Sequence, residues 1–152
     1  MERFNASFDG GSRGNPGPAA WGVAVADDDG QCVERHAGTL GHATNNVAEY
    51  NGLIEALRLA TDGAASEVRL RSDSELIVRQ LEGRYKVRHP DLKPLFVQAK
   101  RLISGFALFK IRHVRREENK EADALVNQAL DQLEDDPDNP VHIHEVCGST
   151  AG

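Results

Sequence analysis

Cysteine is scarce in this chain: Cys32 and Cys147 are the only two, and no CxxC spacing occurs. A disulfide scaffold is therefore not expected. Long apolar runs are missing as well, since nothing approaches the roughly 20 residues that a membrane-crossing helix needs. The opening MERFNASFDGG lacks the basic-then-apolar layout of a signal peptide. A soluble protein in a reducing, cytoplasmic setting, with no membrane partner, is the expectation. Internal repeats and low-complexity tracts are absent too. The single tryptophan, Trp21, reads as a core residue rather than a stacking platform.

An overall excess of base is also missing. The net charge of −6 argues at first sight against a nucleic-acid partner. Its distribution reverses that reading. From Asp131 onward the chain carries Asp131, Glu134, Asp135, Asp136, Asp138 and Glu145 with no Lys or Arg, so residues 1–130 are neutral. Within residues 69–101, Arg69, Arg71, Arg79, Arg84, Lys86, Arg88, Lys93, Lys100 and Arg101 outnumber Asp73, Glu75, Glu82 and Asp91. Bases concentrated in this way suit phosphate contacts, although a solvated helical face gives the same count.

What is present fits one domain. A chain of 152 residues buries roughly 68–70% of its unfolded surface on folding. Residues 3–9 alternate around Phe4, Ala6 and Phe8 and predict a strand ending at Asp9. The turn-rich GGSRGNPGP follows, then strands over Trp21–Ala26 and roughly 31–40, an antiparallel meander. Asn45 or Asn46 predicts a helix N-cap, opening a helix with Tyr50, Leu53, Ile54, Leu57 and Ala60 on one side. A short strand, Val68–Arg71, leads into a helix from Ser74 to about Leu81; a polar connection, GRYKVRHPD, leads to a helix over Leu92–Ile103. Phe106–Val114 is the last expected strand, and Asn119 caps a final helix with an apolar stripe from Ala122 to Leu133. The order is βββαβααβα, a mixed α/β sheet. Residues 1–133 read as the domain and 134–152 as a loosely held acidic tail.

Four acids stand out, each with a structural role of its own. Asp9 precedes Gly10 and Gly11 and can begin a turn; Glu49 lies three residues after Asn46, the capping-box spacing. Asp73 can cap the next helix, and Asp123 suits the first turn of the last. Asp9 and Asp73 nevertheless both end predicted strands, where α/β sheets tend to place sites. Glu49 and Asp123 begin helices that can pack on the same sheet. Carboxylates gathered at one place repel unless a cation neutralises them. Hard oxygen ligands suit Mg²⁺, and a pair of such ions supports phosphodiester cleavage.

The segments FDGGSRGNPGPAAWG (8–22), TNNVAEYNGLIEAL (44–57), SDSELIVRQL (72–81) and ENKEADALVNQAL (118–130) together resemble the motifs of type 1 ribonuclease H. The likeness covers roughly residues 3–133. It implies a five-stranded mixed sheet flanked by helices, and an Asp-Glu-Asp-Asp metal site on Asp9, Glu49, Asp73 and Asp123. Two Mg²⁺ or Mn²⁺ ions, a monomeric chain and an RNA–DNA hybrid as substrate go with it. So do products bearing a 5′-phosphate and a 3′-hydroxyl. The resemblance also implies hybrid contacts at Gly10, Gly11, Ser12, Asn15, Thr44, Asn45, Ser74 and Glu75. Of these, Thr44 matches part of a pocket for a DNA-strand phosphate, and Glu75 replaces a common glutamine.

Three departures from the family pattern matter. The mobile-loop histidine of many bacterial members is absent from VRREENKEAD. Arg116, seven residues before Asp123, matches instead the arginine of archaeal-like and actinobacterial-like members. Arginine stays charged and cannot shuttle protons, so electrostatic help at phosphate or in product release is its implied role. The Lys- and Trp-rich basic protrusion is missing, leaving Arg84, Lys86, Arg88 and Lys93 to replace part of that grip. The tail offers His142, His144 and Cys147, which fit no standard zinc spacing. Two other classes stay open: a non-catalytic hybrid- or RNA-binding domain of the same fold, and a 3′–5′ exonuclease, although Gly-Gly after Asp9 departs from that class's D-x-E start.

Overall fold

The computed structural model describes residues 2–148. Three strands, β1 (Arg3–Ser12), β2 (Gly17–Ala26) and β3 (Cys32–Ala43), precede helix α1 (Asn45–Asp62). Then come β4 (Glu67–Ser72), α2 (Glu75–Leu81), α3 (Lys93–Ile103), β5 (Leu108–His113) and a 3₁₀ turn (Arg116–Glu118). Helix α4 (Lys120–Asp135) and β6 (His142–Val146) complete the chain. The strands form one sheet in the order β5-β4-β1-β2-β3-β6. Strands β1, β2, β3 and β6 pair antiparallel, whereas β4 and β5 run parallel to β1. The result is a mixed sheet flanked by helices, as the resemblance implies.

Each face of the sheet carries its own apolar layer. On one face Phe4, Ala6, Phe8, Val23 and Val25 pack with Tyr50, Leu53, Ile54 and Leu57 of α1, so the predicted helical stripe is buried. On the other, the small side chains of Ala20, Ala24 and Ala37 receive Leu125, Val126, Ala129 and Leu130 of α4. Trp21 is half-buried against the first layer, as its sequence context suggested. Among the described residues, no helix is long and apolar enough to cross a membrane.

The structure corrects three expectations. The sheet has six strands rather than five, because residues 142–146 of the supposedly loose tail pair with β3. Ile143 is 7% exposed and joins the α4 layer. Val141 and Thr39 exchange hydrogen bonds of 2.9 and 3.0 Å. Without that pairing β3 would present a row of open backbone groups along an edge. Second, Cys32 and Cys147 form a disulfide with Cα atoms 5.6 Å apart, inside the usual span. Strand pairing across 115 residues of sequence brings them together, which residue spacing alone does not disclose. Third, β1 continues to Ser12 beyond the predicted end at Asp9, because its ladder with β2 runs on through Ser12↔Ala19.

Candidate active site

Chain geometry draws the four acids toward one point. Parallel pairing of β1 with β4 ends at Phe8↔Ser72, so Asp9 and Asp73 are the next residues on adjacent strands. Helix α1 reaches Asp9 across Gly10. A Cβ there would lie 2.2 Å from the carbonyl carbon of Ala48, the residue before Glu49. Helix α4 approaches across Gly22, the β2 partner of Asp9. A Cβ at Gly22 would stand 2.7 Å from the carbonyl oxygen of Ala122, the residue before Asp123. Two bare backbone positions therefore let two helices deliver a carboxylate each to the same stretch of strand.

Electrostatics bear out the crowding. Asp9 is 9% exposed, and its carboxyl is pushed up to about 8. Burial is the main cause; Asp73, Asp123 and Glu49 add to it against a hydrogen bond from the Gly10 backbone. Glu49 is raised by burial and by Asp73, while a hydrogen bond with Ser74 and the charge of Arg116 pull it down. Asp73 is raised by burial and by Asp123, opposed chiefly by Arg116 and also by Asn119. Asp9, Glu49 and Asp73 thus each feel neighbouring carboxyls, and one guanidinium is too little positive charge for four acids. The arrangement has the donor chemistry of a hard-cation site.

A family described as "Reverse transcriptase-like" matches residues 7–129. The solved N-terminal RNase H domain of Rv2228c from Mycobacterium tuberculosis superposes with a TM-score of 0.85 at 43% identity, covering 90% of this chain and 99% of that one. The chain belongs to the ribonuclease H family. A ribonuclease HI of Halobacterium salinarum is 48% identical over 129 residues, 85% of this chain. LC11-RNase H1, solved in complex with an RNA/DNA hybrid, is 42% identical with a TM-score of 0.81, covering 86% of this chain and 99% of that one. The chain spans 65% of the length of the Halobacterium relative and 34% of the full Mycobacterium tuberculosis protein.

Within this ribonuclease H fold the other candidate residues fall into two groups. Ser12, Asn15, Thr44 and Asn45 knit the β1–β2 turn to the start of α1. The Asn45 side-chain oxygen accepts from the Ser12 backbone N–H (2.9 Å) and hydroxyl (3.1 Å), and the Asn15 side-chain oxygen accepts from the Asn45 backbone N–H at 3.0 Å. Thr44, rather than Asn45 or Asn46, caps α1, accepting from the Val47 N–H at 3.2 Å. Asn15, Thr44 and Asn46 line a small cleft with His89 and Leu92. Ser74, rather than Asp73, caps α2 through the Ile77 N–H at 3.3 Å, and it also touches Glu49. Asp73 is therefore free of capping duty. Glu75 instead faces solvent and pairs with Arg79 at 3.5 Å. Arg116 lies exposed in the 3₁₀ turn, its charge acting on Glu49 and Asp73.

The basic run of residues 69–101 does not form one patch. Arg69 and Arg71 line an open groove on the sheet with Lys110 and Arg112, whereas Arg84, Lys86 and Arg88 are exposed on the connection between α2 and α3 and Lys93 is exposed at the start of α3. Sequence reasoning read Asn119 as a helix cap only. Its side chain makes no capping bond; it is 1% exposed and donates to the Phe8 carbonyl at 3.0 Å. It thereby ties the start of α4 to the residue before Asp9 and also bonds Asp73. An asparagine four residues before an acid at a helix start was the available signal.

Proposed function

We propose that the chain hydrolyses the RNA strand of RNA–DNA hybrids, leaving a 5′-phosphate and a 3′-hydroxyl. The observation that supports this best is the convergence of Asp9, Glu49, Asp73 and Asp123, with the Asp9 carboxyl pushed up to about 8 by burial first and by the neighbouring acids second. A cluster of carboxylates, one buried and three half-buried, fits two Mg²⁺ or Mn²⁺ ions, and those four residues would hold them. Bound ions of this kind supply an activated water and stabilise the leaving oxygen. The residues themselves position and select. Asp9 and Asp73 fix the site on the sheet, and Glu49 and Asp123 close it from two helices. Arg116 offers a permanent positive charge to a phosphate at the mouth.

Gly10 and Gly11 offer close backbone approach, and Ser12, Asn15 and Asn45 offer polar groups to a 2′-hydroxyl, the feature that separates RNA from DNA. The cleft beside Thr44 suits a phosphate of the DNA strand, with Ser74 and Glu75 at the start of α2 facing the same duplex. The reading includes a monomeric chain acting in the cytoplasm. Residues 1–133 are the proposed catalytic unit and 134–152 an appended segment. The test is cleavage of labelled hybrid, RNA duplex and DNA duplex with Mg²⁺ or Mn²⁺. Cutting of the hybrid RNA alone supports the proposal; binding without cutting in both metals refutes it.

A further inference from the structure

The tail histidines that fit no zinc spacing in sequence acquire a partner set in the fold. We propose that Glu34, His36 and His144 form a second metal site, distinct from the acidic one and selective for Zn²⁺ or a similar borderline divalent ion. His142 and Cys147 are not part of it. Cys147 is held in the disulfide, and His142 pairs with Gly38 further along the ladder.

The geometry carries the inference. His36 and His144 are directly opposite each other across the β3–β6 ladder, and Glu34 is two residues before His36, hence on the same face. Nε2 of His36 is 3.1 Å from one Glu34 carboxylate oxygen, and Nε2 of His144 is 3.6 Å from the other. One ligand atom from each residue lies within 4.8 Å of the other two. In a tetrahedral zinc site with bonds near 2.0–2.1 Å, neighbouring ligand atoms are about 3.3–3.4 Å apart. The two separations, each to a different Glu34 oxygen, bracket that value, so side-chain rotation without backbone movement would bring the set onto one ion. The imidazole rings lie stacked at 4.2 Å and 17°, so coordination turns the exposed His144 ring out of the stack to aim its in-plane Nε2 lone pair at the ion.

Chemistry and surroundings agree. Two imidazoles and one carboxylate suit Zn²⁺, Ni²⁺ or Cu²⁺, whereas an all-oxygen set suits Mg²⁺, so the two sites of this chain select different ions. His36 is buried while His144 is exposed, leaving one side of the site open to solvent for a fourth ligand. The backbone is already fixed. Val141 bonds Thr39, Cys147 N–H donates to the Val33 carbonyl at 3.0 Å, and the Cys32–Cys147 bridge closes the far end. An ion here staples the sixth strand to the sheet two strands away from Asp9. Without metal, His36 Nε2 lies 3.1 Å from the Glu34 carboxylate and can donate to it; on binding an ion each neutral imidazole would keep its proton on Nδ1 and present Nε2 to the metal.

The test titrates Co²⁺ and Zn²⁺ into the metal-stripped full chain carrying Asp9→Asn, which weakens the acidic site. The expected result is one tightly held ion per chain, a four-coordinate Co²⁺ absorption band, and displacement of that band by Zn²⁺. His144→Ala, at an exposed position, and Glu34→Gln are each expected to weaken binding at least about tenfold. His144→Ala in the otherwise native chain keeps its Mg²⁺-supported hybrid cleavage. No four-coordinate band, or undiminished Zn²⁺ affinity in His144→Ala, overturns the proposal.

Discussion

Replacing Asp9 by asparagine is expected to stabilise the metal-free protein while destroying its proposed activity. The Asp9 carboxyl is raised from 3.8 to about 8 in the folded chain, so between those values the folded state holds a proton that the unfolded state has lost. Stability therefore falls as pH rises through this window and levels off above about pH 8. At roughly 1.4 kcal/mol per pKa unit, the loss is at most about 6 kcal/mol. Glu49 and Asp73 are shifted in the same direction and add to it. The substituted amide titrates nothing but needs hydrogen-bond partners in the same pocket, so a net gain of about 2–4 kcal/mol is expected for Asp9→Asn at pH 8. With about 2–4 °C per kcal/mol for a domain of this size, the melting temperature rises by at least about 4 °C. The assay is thermal unfolding in chelator at pH 4, 6 and 8. The gap between variant and parent should be near zero at pH 4 and widest at pH 8, and added Mg²⁺ should shrink it by stabilising only the parent. A gap that is equal at pH 4 and pH 8, or a destabilised variant at pH 8, refutes the reasoning about burial and repulsion.

Three further outcomes are expected. Gly10→Ala forces a Cβ to 2.2 Å from the Ala48 carbonyl carbon and should cost about 3 kcal/mol in urea unfolding, with hybrid cleavage reduced because Glu49 is displaced. Arg116→Ala should lower kcat about 100-fold in steady-state assays. It should also move the acidic limb of the pH–rate profile upward, since Arg116 holds Asp73 and Glu49 down. Truncation after Asp135 removes β6, the disulfide and the buried Ile143. It should lower unfolding free energy by about 2–4 kcal/mol yet leave hybrid cleavage within several-fold of the full chain.

The central architecture was legible because it rests on local signals. Alternation around Phe4, Ala6 and Phe8 and the Tyr50-to-Ala60 stripe report burial directly, and both are buried as expected. The acids were legible as a set through element order, with Asp9 and Asp73 one step beyond paired residues on neighbouring strands. What local reading missed depends on distant partners. Strand β6 is five residues inside a polar segment, and only Ile143 against α4 and the ladder with β3 make it a strand. The Cys32–Cys147 pair follows from that ladder. Caps shifted by one or two residues, to Thr44 and Ser74, because side-chain geometry at a helix start is finer than composition. Gly22 carried no motif weight of its own, yet its missing Cβ is what admits α4 beside Asp9.

Single-turnover cleavage of one RNA–DNA hybrid by Asp9→Asn, Glu49→Gln, Asp73→Asn and Asp123→Asn, with saturating Mg²⁺ and again with Mn²⁺, tests the unity of the four carboxylates most directly. Each variant should fold and bind hybrid but cut at least about 1,000-fold more slowly, and the Asp9→Asn/Asp73→Asn double variant should be little worse than either single one, as expected of groups acting as a unit. Near-parental cutting by any of the four single variants contradicts the assignment, as do losses that simply multiply in the double variant.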